Sequence, residues 1–451
     1  MFGSDFRFNL REIQQTIEER FTVLDANLDP RSNFPIYLIE KEIEKEQEFE
    51  KEFQYICKKL EKFHLYGFIR NFDQKNDGIL FREHDKTDRE KLVLLLLPKR
   101  IDTSKKRSNL FYISLFAVTF VSVMFASTMF IALDPIYGGS NPFVLVIILA
   151  YGISILAILG LHETGHLIAC RRHKIDATYP FFIPFPLPPL GTMGAVINQK
   201  SPTKNRNELF DVGIAGPLVG FFVSLIVIII GVILTQPVAT SEYITQTVNT
   251  SLILRQNWFL QFLNSIGLLN LPANSPEAVD SLYVGLYGPN YFPRMFLLMI
   301  VEFLFAPKIT PTYGTYAGTT QSYTLPNQVM FLHPIAFAGY VGLLLTTLNM
   351  MTVGQLDGGH VSRAIFGDKK IQIKGKEFEV YKIIGIIGLG ILFFINFVFA
   401  IIALALSRGL FHPGPQNDVT PLSKRRKIAA IGFLGIIILS IPIGSMFFGG
   451  L

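Results

Sequence analysis

Residues 159–170 read "LGLHETGHLIAC", and they decide how the rest of the chain is parsed. They close an apolar run that opens at residue 141 with "NPFVLVIILAYGISILAI", and about 20 apolar residues suffice to cross a bilayer. Two histidines and a glutamate in such a run are costly in hydrocarbon and mark a functional position. Residues four apart on a helix share a face, so His162 and His166 present two imidazoles to one point, with Glu163 beside them. That is the pattern of a zinc centre with its own base: zinc takes nitrogen and carboxylate ligands tetrahedrally, and a catalytic site leaves one position for water. Polar helix packing or a transporter's proton relay would also place ionisable groups here. Neither requires His, Glu and His at this spacing.

The whole chain agrees with a membrane setting. Of 451 residues, half are hydrophobic and 17% charged, and the mean hydropathy is +0.38, a profile outside the range of soluble domains. The basic clusters "KKR" (105–107), "RRHK" (171–174) and "KRRK" (424–427) abut apolar segments, where they set orientation rather than bind nucleic acid. No nucleic-acid partner is expected. Two cysteines, Cys57 and Cys170, do not make a disulfide framework. The opening "MFGSDFRFNLREIQQTIEERF" is charged throughout, so the first span is expected to act as its own anchor.

The predicted fold is mainly α: a polytopic membrane protein with about six transmembrane helices and a small N-terminal α+β soluble domain. Residues 1–107 form the soluble domain and 108–451 the membrane domain. In the first, "YLIEKEIEKEQEFEKEFQYICKKLEKFHLYG" carries Phe49, Phe53, Ile56, Leu60 and Phe63 at helical spacing, while "GFIRNF", "DGILFREHD" and "KLVLLLLPK" read as short strands. "DQKNDG" is not a calcium loop, because Lys75 takes a ligand position and His84 stands where the closing glutamate belongs. Spans are placed near 109–133, 143–170, 209–235, 331–350, 379–406 and 428–448. "KKR" and "RRHK" put the N-terminal domain and the mouth of the site on the cytosolic side. Residues 236–330 become an external loop with a sequon at Asn249. Within it, "YFPRMFLLMIVEFLFAP" (291–307) reads as interfacial or re-entrant, since one further crossing would separate "LDGGH" from "HETGH".

A catalytic zinc needs a third protein ligand at the same depth, on the order of 10 Å from the cytosolic end of the second span. Asp357 in "NMMTVGQLDGGH" is the best candidate: it follows a span that also runs toward the cytosol, and Gly358 and Gly359 let the backbone bend close. A simple Asp-Gly turn is the bland alternative, and His360 the nearest competing ligand. His333 reads as a helix-start residue, and Asp176 and Asp211 as solvated or capping.

"HETGH" together with "NMMTVGQLDGG" resembles the site-2 protease family of intramembrane zinc metalloproteases. "GTMGAVINQKSPTKNRNELFDVGIAGPLVGFFVSL", "HPIAFAGYVGLLLTTLNMM" and "HPGPQNDVTPLSKRRK" are similar to the branch that includes the plastid ethylene-dependent gravitropism-deficient proteins and their prokaryotic relatives. The resemblance covers roughly residues 110–430. It implies a three-helix catalytic core, Zn2+ held by His162, His166 and Asp357, and Glu163 as catalytic base. It also implies that Asn349 donates to the tetrahedral oxyanion, where the structural alternative is an amide satisfying a helix break. The chain departs from the family at Thr352, where many members carry a proline that fixes the bend.

Five prolines within 180–189 forbid a continuous helix, and irregular backbone at membrane depth is tolerated beside protein or a water-filled cavity. The resemblance implies a membrane-inserted β-hairpin here, with Gly191 and Gly194 at its turns and an edge that pairs with unwound substrate. A proline-rich surface loop is the alternative. "AGPL" (215–218) gives the third span a small-residue face and a kink. The expected substrates are single-span membrane proteins cut within the bilayer. The rival readings are a transporter or channel using the same polar residues, against which the absence of an internal repeat counts, and an inactive chaperone-like relative.

Overall fold

The computed structural model describes the chain outside residues 1–9, 240–310 and 441–451 and outside short internal stretches, the longest being 82–89, 100–107, 315–322, 396–403 and 405–411. The sequon at Asn249, the segment 291–307 and the ends of the fifth and sixth expected spans lie outside the described residues.

The N-terminal layer comprises α1 (Leu10–Glu18), β1 (Thr22–Leu28), β2 (Pro35–Glu40), α2 (Glu46–Leu60), β3 (Leu65–Asn71) and β4 (Lys91–Pro98). Its antiparallel sheet has the order β1-β2-β4-β3. Helix α2 buries Phe49, Phe53, Ile56 and Leu60 against Leu65, Leu92, Leu94 and Leu96, as their helical spacing requires. The expected helix is shorter than its charged sequence suggests, because residues 37–40 belong to β2. That strand is central and covered on both faces: Tyr37 and Ile39 join the cluster under α2, while Ile36 and Leu38 pack with Phe81 and Val93. Two-sided burial removes the alternation by which a strand is recognised. Of the three expected strands, the first and third are β3 and β4. "DGILFREHD" forms none among its described residues.

Among the described residues, three helices are long and apolar enough to cross a membrane: Asn109–Ile131 in α3 (Asn109–Ala132), α4 (Val144–Arg172) and α5 (Arg206–Ile233). Shorter apolar helices occur in α6 (Pro334–Asn349) and α8 (Val380–Ile395). Between these two lies α7 (Asp357–Phe366), and α9 spans Lys424–Ser440. Helix α5 starts three residues before its expected span because Asn205 caps it, its side chain accepting from Glu208 N at 2.8 Å. Glu208 in turn accepts from Lys204 N, a local signal that hydropathy does not register. His333 caps the start of helix α6, its Nδ1 accepting from Ile335 N, as expected of a helix-start residue.

The remaining strands are short. β5 (Phe181–Pro184) and β6 (Thr192–Val196) make a hairpin against α3. β7 (Gln236–Ala239) pairs with β10 (Gln328–Phe331), β8 (Pro311–Gly314) with β9 (Tyr323–Pro326), and β11 (Lys370–Ile373) with β12 (Lys376–Glu379). Residues 416–418 run beside the edge of β3: Ile69 N donates to Gln416 O at 2.7 Å and Asp418 N to Ile69 O at 3.2 Å. On its other side the same segment donates to Thr203 O and Lys204 O, just ahead of α5. Asn205 also bonds Glu50 of α2, and Asn71 bonds Asp368. The N-terminal layer is thereby fastened to the cytosol-expected ends of α5 and α7.

Candidate metal centre

His162 and His166 sit one turn apart on α4, buried at 5% and 6% exposure. Asp357 is the first residue of α7. Its Oδ2 lies 3.2 Å from His162 Nε2 and its Oδ1 3.2 Å from His166 Nε2, while the two Nε2 atoms are 3.3 Å apart. An ion holding ligands tetrahedrally at about 2.0–2.1 Å separates them by about 3.3 Å. The two imidazole nitrogens, and each of them with one Asp357 oxygen, therefore have the spacing of neighbouring corners of a zinc-sized tetrahedron. Among the described residues this is the group of His, Cys, Asp and Glu side chains that could hold a metal ion. His360 is outside it and packs against His412, with 4.4 Å between ring centroids.

The surroundings hold the imidazoles in place. His166 Nδ1 donates to the Val212 carbonyl at 2.8 Å, which leaves the Nε2 lone pair toward the other ligands, the usual outer-shell arrangement of a metal-binding histidine. Helix α5 passes close because it carries glycine where it crosses the site. A Cβ on Gly216 would lie 2.0 Å from His166 Nε2, and one on Gly220 2.7 Å from His162 Nδ1. Asp357 is brought in by the turn after α6, where Gly358 approaches so closely that its Cβ would fall 1.9 Å from the Met350 carbonyl oxygen. Thr352 donates from Oγ1 to Ile384 O of α8 at 3.2 Å, which ties this turn to that helix.

Glu163 is half-buried, and its Oε2 accepts from Ile197 N at 3.0 Å. Asn349, the last residue of α6, places Nδ2 3.4 Å from His162 Nε2. Gly191 lies in the hairpin connection with φ +71, its carbonyl accepting from Ser122 Oγ at 2.7 Å. Gly194 differs from expectation. It is inside β6 rather than at a turn, and its φ of +111 accompanies the register irregularity between Phe182 and Pro184 on the facing strand, a bulge that glycine accommodates. Asp211 is neither a cap nor free in solvent: it takes a two-pronged contact from Arg426 at 2.7 and 2.6 Å and meets His173 Nε2 at 2.9 Å. Asp176 is exposed.

Sequence reasoning missed the Val212 carbonyl and the Ile197 amide, which are backbone groups without a residue-type signature. The close crossing of α5 had a signal in the Gly216-to-Gly220 spacing, a small-xxx-small pattern.

The sequence model of Peptidase family M50 matches residues 150–395, more than half of the chain. The chain belongs to that family. Among its relatives is the probable zinc metalloprotease EGY1, chloroplastic, of Oryza sativa subsp. japonica, 31% identical over 242 residues, which are 53% of this chain and 31% of the relative. The Arabidopsis thaliana protein of that name is 27% identical over 305 residues (65% and 42%). The probable zinc metalloprotease EGY2, chloroplastic, of Oryza sativa subsp. indica is 25% identical over 266 residues (59% and 37%). The matched region thus spans less than half the length of these relatives. No solved structure matches the chain.

Proposed function

We propose that this protein is an intramembrane zinc metalloprotease that hydrolyses peptide bonds of single-span membrane proteins. The observation that carries the reading is the convergence of His162, His166 and Asp357 at 3.2–3.3 Å from two separate helices. These three side chains hold the zinc, which when bound supplies the Lewis acid that polarises water and the scissile carbonyl. Glu163 takes the proton of the attacking water and later returns it to the leaving amine. Asn349 donates from Nδ2 to the oxyanion that forms at the carbonyl.

An extended substrate is received by strand addition on the hairpin. Among the described residues the hairpin is a two-stranded sheet with no third strand beside it. β6 carries no proline, whereas β5 ends in Pro184, so β6 is the strand that pairs with substrate in this reading, its Gly194 N–H being already engaged by Thr192 Oγ1 at 3.1 Å. Gly191 and Gly194 shape that edge. The substrate's helix must unwind before its carbonyls can reach the zinc, which favours substrates with helix-weakening residues near the cytosolic side.

The same reading places the N-terminal domain of residues 1–107 and the mouth of the site in the cytosol, with about six spans in residues 108–451. The charge of "KKR" and "RRHK" beside the first two spans supports that orientation. The decisive experiment compares the purified protein with Glu163→Gln on a single-span model substrate. Cleavage should fall about 10²- to 10⁴-fold with zinc content unchanged, and full activity in the variant would refute the mechanism.

A further inference from the structure

The structure assigns a positioning role to the backbone amide of Ile197: we infer that this N–H orients the Glu163 carboxylate and couples it to the hairpin. The inference rests on the reading of Glu163 as the base.

Ile197 follows β6 directly. Its neighbours are engaged across the hairpin: Val196 pairs with Phe181, Asn198 N donates to Thr178 Oγ1, and Thr178 N donates to Asn198 O. Pairing resumes at the Ala177–Gln199 bridge with the register shifted by one residue. Pro180, which has no N–H, lies at the slip. The amide of Ile197 is directed instead to Glu163 Oε2 at 3.0 Å. The ladder's interruption at this half-buried residue thus supplies a donor to the base.

The donor is held firmly on both sides. The Ile197 side chain packs with Ala169, Cys170, Ile175 and Val212, thus on α4 and on the residue whose carbonyl holds His166. The hairpin's other end is fixed to α3 through Ser122 and Gly191, where a Cβ on Gly191 would lie 2.5 Å from Val123 Cα. With one oxygen bonded to a rigid strand, the carboxylate keeps its other oxygen for the water, and its geometry is set by the element proposed to receive substrate. Backbone donors of this kind fix an acceptor without themselves exchanging a proton.

The test removes the N–H and keeps the rest. Ile197→Pro deletes the donor, and Ile197→Val retains it and measures what the side chain contributes. A third form, with Ile197 replaced by its α-hydroxy acid, exchanges that one amide for an ester without touching the side chain, so the question stays open to test if the proline variant does not fold. Cleavage of a single-span model substrate is followed together with bound zinc. The expected result is a fall in kcat of about tenfold or more in the proline and ester forms relative to Ile197→Val, with KM and zinc content close to those of the wild-type protein. Equal kcat in the ester and valine forms, while Glu163→Gln is inactive, would overturn the positioning role alone. A rise in KM at constant kcat would also overturn it, by showing that the amide acts on substrate. Equal cleavage by the wild-type protein and Glu163→Gln would overturn the base itself, and the positioning role with it.

Discussion

The N-terminal layer and the helices that carry the metal centre differ in what they expose and in the polar groups they bury. In the first, what is hidden is Ile, Leu and Phe, packed between α2 and the sheet. In the second, apolar side chains also face outward, Leu145 being 77% and Ile233 67% exposed, and His162, His166, Ser224 and Thr346 are buried alongside apolar residues such as Tyr151, Ile155 and Leu343. The difference follows from the solvent. Water drives apolar groups inward, but lipid offers them nothing to escape from, so long apolar helices associate through close packing and polar contacts. Glycines at the crossing of α5 with the metal-bearing helix are part of that packing, and they double as the space into which the imidazoles fit.

That contrast can be broken by substitutions on either side of it. The largest effect is expected where the polar interior holds the ion: His166→Ala or Asp357→Asn should abolish both bound zinc and cleavage, and atomic absorption on purified protein checks the first. Chelation of the wild-type protein should give the same loss, reversed by added zinc. Next in size, Gly216→Ala pushes a methyl into the His166 ring and should lower zinc affinity or activity about 10- to 100-fold, read by zinc titration. In the N-terminal layer, Leu94→Ala opens a cavity under α2 and should cost about 2–5 kcal/mol, seen as earlier denaturant unfolding of that layer with zinc content unchanged. The smallest effect concerns Cys57, whose thiol is pushed up to about 12 by burial. It should stay unmodified by thiol reagents at pH 8 until the layer unfolds, which mass spectrometry checks.

Much of the centre was legible in the sequence because its chemistry is local. His162, Glu163 and His166 are fixed relative to one another by helix geometry alone, and Asp357 by a short glycine-bearing turn. What escaped was carried by backbone or by distance. The Val212 carbonyl and the Ile197 amide are groups every residue possesses, so no residue type announces them. Residues 37–40 hid as a strand because both faces are covered, which erased their alternation. Gly194 was misplaced because a bulge inside β6 and a turn both ask for positive φ, and the sequence does not tell them apart.

The pairing of Ile69 with residues 416–418 also bears on how the molecule is made. A nascent chain emerges at about 5–20 residues per second, so the sheet waits on the order of tens of seconds for the segment that flanks its last strand. Throughout membrane insertion that edge has no native neighbour. A ribosome that stalls late therefore leaves a molecule with its helices threaded and its outer sheet unlatched, a state that protease nicking or an antibody to the bare strand would detect.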